Sequence, residues 1–112
     1  MKLTHEDYEH VTVMTLSGEL TADHVDKLRQ LAVQRMEKQA RDFVLDIAGV
    51  EFVDSKGLET LLWLQEKCGE HLGQLRLAGA TGNVDKILGL TRLSPRFDRH
   101  PDVPTAVKSL RV

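Results

Sequence analysis

The sequence predicts an α/β layered domain with a mixed sheet of about four to five strands and helices packed against it. Two observations carry this. Segments of strand character alternate with segments of helical periodicity, in the order β-β-α-β-α-β-α-β-α. Phe43-Val44-Leu45-Asp46-Ile47 is a short, nearly continuous apolar run, the pattern of a central strand buried on both faces. The length agrees with one domain spanning 1–112. A chain of that size buries roughly two thirds of its unfolded surface and needs no metal or disulfide staple.

Each element has a local reason. Leu3 to about Tyr8 reads as a short edge strand, with a turn at Glu9-His10. Val11-Thr12-Val13-Met14-Thr15-Leu16 is a β-branched and apolar strand that Ser17-Gly18 is expected to end. Thr21 is the expected N-cap of an amphipathic helix of about 17 residues, carrying Val25, Leu28, Leu31, Ala32 and Met36 on one face. The central strand follows, flanked by Arg41-Asp42 and Ala48-Gly49, and Val50 to Val53 forms an apolar hook after it. Asp54-Ser55 opens a second helix to about Leu72, with Ser55 as its expected cap. Leu58, Leu61, Leu62, Cys68 and Leu72 share its buried face, with Leu64 at the edge. Gln65 falls on the same arc and needs a partner if buried, while Trp63 points nearly opposite. Gln74 to Ala78 is a strand ended by Gly79, and Asn83 to Leu90 is a short helix. Phe97 belongs to a last short strand, and Pro104 starts a terminal helix through Leu110.

Composition narrows the function. Apolar residues make up 41% and charged residues 29%, which fits a folded soluble chain. The net charge of −2 argues against a dedicated nucleic-acid binder. The charge is uneven: residues 1–55 carry 6 basic and 11 acidic groups, and residues 56–112 carry 9 and 6. A single cysteine, Cys68, fits a reduced, cytoplasmic setting. The polar, acidic start of the chain gives no expectation of a signal peptide. No apolar run approaches the ~20 residues of a membrane span, so no membrane insertion is expected.

Most chemical motifs are missing. His5, His10, His24, His71 and His100 stand at no metal-ligand spacing, and no Gly-x-Ser-x-Gly elbow occurs. Gly79-Ala80-Thr81-Gly82 sits between a strand and a helix, where a phosphate could rest, but it lacks the Walker lysine. Asp46 invites comparison with a phosphoacceptor aspartate, yet the acidic pair of a receiver domain is absent, and a backbone-bonding role is expected.

The informative segment is Val50-Glu51-Phe52-Val53-Asp54-Ser55-Lys56-Gly57-Leu58. Ser55 has two readings there. It is a structural helix cap, or it is an exposed hydroxyl at a helix N-terminus, where the dipole favours an incoming anion. A phosphate would add about −1.5 to −2 charges. Lys56 would partly neutralise that charge, and Asp54 and Glu51 would add to it. Such a change spares the helix and perturbs any partner packed over it.

This pattern resembles the STAS domain of anti-sigma factor antagonists over nearly the whole chain. Leu16-Ser17-Gly18-Glu19-Leu20-Thr21 is similar to the family's L-x-G-x-L-D segment. Val44 to Ile47 and Val50 to Leu58 are similar to its central strand and Asp-Ser-Ser/Thr-Gly-Leu signature. Leu75 to Gly79, and Val84, Ile87, Leu88, Gly89, Leu90 and Leu93, match the following strand and helix. The resemblance implies that Ser55 is a phosphoacceptor and that the chain is no enzyme and carries no cofactor. It implies a partner that is an anti-sigma factor and serine kinase of histidine-kinase-like ATPase fold, using ATP and Mg²⁺. The unphosphorylated antagonist would bind this partner and free a sigma factor, and a serine phosphatase would reset the switch. Asp54 would help order the loop or the kinase contact, Gly57 would keep the first turn small for the partner's approach, and Thr21 would stand at a partner contact. Two residues depart from the pattern: Lys56 replaces a small Ser or Thr, and Thr21 replaces Asp. Trp63 has two readings, partner contact or packing on a neighbouring element. The rival function is a constitutive STAS subunit of a stress-signalling or lipid-transport complex, with Ser55 only a cap.

Overall fold

The computed structural model describes residues 1–8 and 10–110. Five strands form one sheet in the order β1 (Lys2–Tyr8), β2 (Val11–Leu20), β3 (Asp42–Val53), β4 (Leu75–Ala78) and β5 (Asp98–His100). β1 runs antiparallel to β2, and the remaining neighbours are parallel, so the sheet is mixed. Four helices, α1 (Val25–Glu37), α2 (Ser55–Glu70), α3 (Gly82–Leu90) and α4 (Val103–Ser109), alternate with the strands as the periodicity predicts. The apolar run of residues 43–47 lies in the central strand, β3.

Period-two alternation divides the sheet into two faces. One face presents Met14, Leu16, Phe43, Leu45, Leu75 and Leu77 to Leu28 and Ala32 of α1, to Leu61, Leu64 and Cys68 of α2, and to Val84 and Leu88 of α3. The other face presents Val13, Val44 and Ala78 to Ala106 of α4. Burying a leucine stabilises a fold by about 1.5–3 kcal/mol, so the first face carries most of the core.

Several boundaries differ from the sequence reading. β2 does not stop at Ser17-Gly18 but continues to Leu20, and β3 absorbs both Ala48-Gly49 and the expected hook. The two strands pair with each other along this extension. Gly18 takes φ +93°, which a side chain rarely tolerates, and the register shifts there. Ladder hydrogen bonds thus override a local turn signal. Thr21 is not the cap of α1. The helix starts at Val25 after a turn in which the Thr21 carbonyl accepts from His24 N and Val25 N, and α1 has 13 residues.

α2 ends at Glu70, and Leu72, expected on its buried face, is 88% exposed in a left-handed conformation. The chain has already turned there. Leu64, placed at the arc's edge, is fully buried. Gln65 finds its partner, donating from its amide to the Arg96 carbonyl. Phe97 is buried just before β5 rather than within it. α4 is capped by the Asp102 carboxylate, which accepts from Thr105 N at 2.8 Å, with Pro104 in its first turn. Of the expected Glu9-His10 turn, His10 stands in a turn and Glu9 lies outside the described residues.

Candidate functional site

β3 ends at Val53 in the core, and Asp54 follows in extended conformation as the N-cap of α2. Its backbone N–H donates to the Leu20 carbonyl at 3.2 Å, tying the corner to the end of β2. Asp54 Oδ1 accepts from Gly57 N at 2.8 Å, and Oδ2 accepts from Ala22 N at 3.0 Å. One carboxylate therefore closes the first turn of α2 and pins the loop before α1. The Gly57 N–H, helped by the Ala22 N–H, holds the Asp54 carboxyl below the usual carboxylate range, against the opposing effect of burial.

This corrects the reading of Ser55 as the cap. Asp54 performs that role, and Ser55 is the first helical residue, exposed to solvent. Among the described residues its hydroxyl makes no hydrogen bond. It projects from a helix N-terminus, where the positive end of the dipole lies. Lys56 beside it is exposed and turns along the helix to Glu59, Nζ to Oε2 at 3.3 Å. Exposed pairs of this kind contribute only about 0–1 kcal/mol, so the ammonium is free to swing to a new anion.

Gly57 is buried, and a Cβ there would fall 2.3 Å from the Leu20 carbonyl oxygen. Its small size serves the close approach of α2 to β2 inside the fold, not the approach of a partner from outside. Thr21 is half-buried, and its hydroxyl lies 3.3 Å from His24 Nδ1. That ring N–H donates to the Glu19 carbonyl at 3.0 Å. Thr21 thus stands in the loop that Ala22 fastens to Asp54.

On the wheel of α2, Ser55, Leu58 and Leu62 share a side, and both leucines are half-buried beside the core. The exposed hydroxyl heads a partly apolar stripe. Trp63 lies on another side, half-buried, with the Arg29 guanidinium of α1 5.4 Å from its ring centroid. Arg29 Nη2 also donates to Thr60 Oγ1 at 3.5 Å, whose own hydroxyl donates to the Lys56 carbonyl at 2.8 Å. Trp63 packs on α1, and the cation–π contact contributes about 0.5–1 kcal/mol. Sequence spacing missed Arg29 and Ala22, because both act across more than thirty residues of chain.

The other candidates have structural explanations. Asp46 Oδ1 accepts from Ala48 N at 3.2 Å within β3, so it bonds nearby backbone although the strand does not end there. Gly79 takes φ +78°, and a Cβ on it would sit 2.8 Å from that of Ala48. The Gly79–Gly82 turn is shaped by packing at the end of β4.

The mixed five-stranded sheet, with helices alternating along it and the Asp54-Ser55 corner after its central strand, has the fold of a STAS domain. The chain belongs to the STAS domain family: the family model described as "Mlab, STAS domain" matches residues 4–95. It is 26% identical over 114 residues to an anti-sigma F factor antagonist of Paenibacillus polymyxa, covering 96% of each chain. It is 25% identical to the anti-sigma-F factor antagonist RsfB of Mycobacterium tuberculosis, covering 98% of this chain and 92% of that one. The crystal structure of an anti-sigma factor antagonist from Mycobacterium paratuberculosis superposes with TM-score 0.86 at 26% identity, over 99% of this chain and 94% of that one. The fold is also shared with SpoIIAA in its unphosphorylated form, at TM-score 0.75 and 14% identity, over 96% of each chain. Among the described residues no helix is long and apolar enough to cross a membrane.

Proposed function

We propose that this chain is an anti-sigma factor antagonist: a cytoplasmic binding module, not an enzyme, formed by the whole of 1–112 and switched at Ser55. In this reading the unphosphorylated protein docks on an anti-sigma factor and releases its sigma factor. The partner is also the serine kinase, with a histidine-kinase-like ATPase fold that brings ATP and Mg²⁺. A serine phosphatase restores the hydroxyl. Asp54, Lys56, Thr21 and Trp63 flank the docking surface, and Gly57 lets α2 seat beneath it.

The single observation that supports this most is the division of labour at the corner. Asp54 caps α2, and Ser55 stands exposed beside it. Its hydroxyl can be modified without removing a bond the fold needs. A phosphate at the head of the Ser55–Leu58–Leu62 stripe would force a dianion into any interface packed over it, with the desolvation that burial of charge entails. The rival reading, a constitutive scaffold with Ser55 as a cap, loses its reason for a serine because the cap is Asp54.

Binding of Ser55→Asp to the purified anti-sigma factor, measured by calorimetry beside wild type, tests the proposal. The variant is expected to bind at least tenfold more weakly with its melting temperature within a few degrees. Equal binding would refute the switch.

A further inference from the structure

Beyond the reach of β1 and β4, β2 and β3 continue together as a two-stranded tip. β1 pairs β2 only as far as Ser17, and β4 pairs β3 only as far as Asp46. Glu19 and Leu20 then pair with Phe52 and Val53, and Glu51 is an extra residue where the register shifts. Leu20 and Val53 turn into the core. Glu19 and Phe52, the registered pair one residue back, share the opposite face, which α4 covers only further down, at Val13, Val44 and Ala78. Phe52 is 42% exposed there, with Glu19 and Glu51 exposed beside it in sequence or register. Asp46 and, across β2, Lys2 are the other charged residues of β1–β3 toward this end of the face.

We infer that this tip is a docking surface, separate from the Ser55 stripe, for a protein partner that offers an apolar socket to Phe52 ringed by lysine or arginine. An aromatic ring with few torsions is the kind of side chain that anchors interfaces. Carboxylates around it select the partner's charge and speed its approach. The same charges count against other occupants. A second copy would set glutamates against glutamates, and anionic lipid or nucleic acid would be repelled. The tip is bound to the candidate switch, since Asp54 N donates to the Leu20 carbonyl, so a partner can grip both sides of one rigid corner. The inference rests on the reading of the chain as an anti-sigma factor antagonist and names the chemistry of that partner.

The test measures binding of the purified anti-sigma factor of the source organism to wild type, Phe52→Ala, Glu19→Lys and Ser55→Asp, at low and high salt. Circular dichroism confirms folding, and Glu19→Lys, on the surface, serves if Phe52→Ala fails to fold. Tyr8→Ala, an exposed aromatic at the opposite end of β1, is the control. The expectation is a tenfold or greater rise in Kd for Phe52→Ala, slower association and weaker salt dependence for Glu19→Lys, and no change for Tyr8→Ala. Phosphorylation of Phe52→Ala should show a raised KM with kcat unchanged. Loss of binding in Ser55→Asp with wild-type binding in Phe52→Ala and Glu19→Lys overturns the docking surface and keeps the switch. Loss in Phe52→Ala with none in Ser55→Asp keeps the surface and overturns the switch. Self-association abolished by Phe52→Ala overturns the basic partner in favour of a second copy, and absence of wild-type binding overturns both proposals.

Discussion

Asp54 Oδ2 accepts the backbone N–H of Ala22 at 3.0 Å, while its Oδ1 accepts that of Gly57 at 2.8 Å. Two oxygens serve two segments that lie far apart in sequence. Asp54→Ala should lower unfolding free energy by about 1–2 kcal/mol, the upper range for a lost cap. Asp54→Asn keeps one acceptor oxygen and should lose less. Urea unfolding measures both, and an Asp54→Asn variant as stable as wild type would show that the Ala22 bond contributes nothing.

Acid should weaken the fold through the same group. The Gly57 N–H on Asp54, the Thr12 hydroxyl on Asp7 and Thr105 on Asp102 each hold a carboxyl below its ordinary value. A depressed folded pKa gives stability that is present above the unfolded value, near about 4, and is lost as pH falls through the folded one. Urea midpoints from pH 7 to pH 2.5 should fall mainly below about pH 4. Asp54→Asn should flatten part of that decline.

Ser55→Ala should change stability by no more than about 0.5 kcal/mol, as for an ordinary surface site. The hydroxyl caps nothing, because Asp54 does. A loss near 1 kcal/mol, the usual cost of removing an N-cap, would restore the structural role.

Three helical glycines should respond in opposite directions. A Cβ at Gly69 or Gly89 meets nothing within 4 Å, so alanine there should stabilise by up to about 1 kcal/mol through helix propensity. At Gly57 the Cβ would fall 2.3 Å from Leu20 O and 2.7 Å from Val53 Cγ1. Gly57→Ala should lower the melting temperature despite the same propensity gain. A rise would mean that α2 can shift away from β2 at little cost.

Cys68 should be inert in the native state. Burial, aided by the nearby Asp42 carboxylate, pushes its thiol up to about 12. A disulfide reagent at pH 8 should react only as fast as the protein opens, and at full speed in denaturant.

The sheet, its central strand and the buried side of α2 were legible because each rests on local periodicity. Phe43 to Ile47 is short and nearly continuously apolar, the pattern of a buried strand, and Leu61 and Cys68 recur at helical spacing. The misread places were decided by distant partners. Ser17-Gly18 and Ala48-Gly49 look like stops, yet each is carried through by the other strand. At the corner, Asp54 and Ser55 are both good capping residues. Only the position of Ala22, which rewards a second acceptor oxygen, explains why the aspartate takes the cap and leaves the serine exposed. Phe52 reads as part of an apolar hook, and only the Glu19 register shows that it faces outward.

The proposed switch requires that Ser55 accept phosphate. Its most direct test incubates the protein with the purified anti-sigma kinase, ATP and Mg²⁺, and maps the phosphate by mass spectrometry. One phosphate is expected, on Ser55, and none on Ser55→Ala. Phosphate elsewhere, or none from a kinase proven active on another substrate, would contradict it.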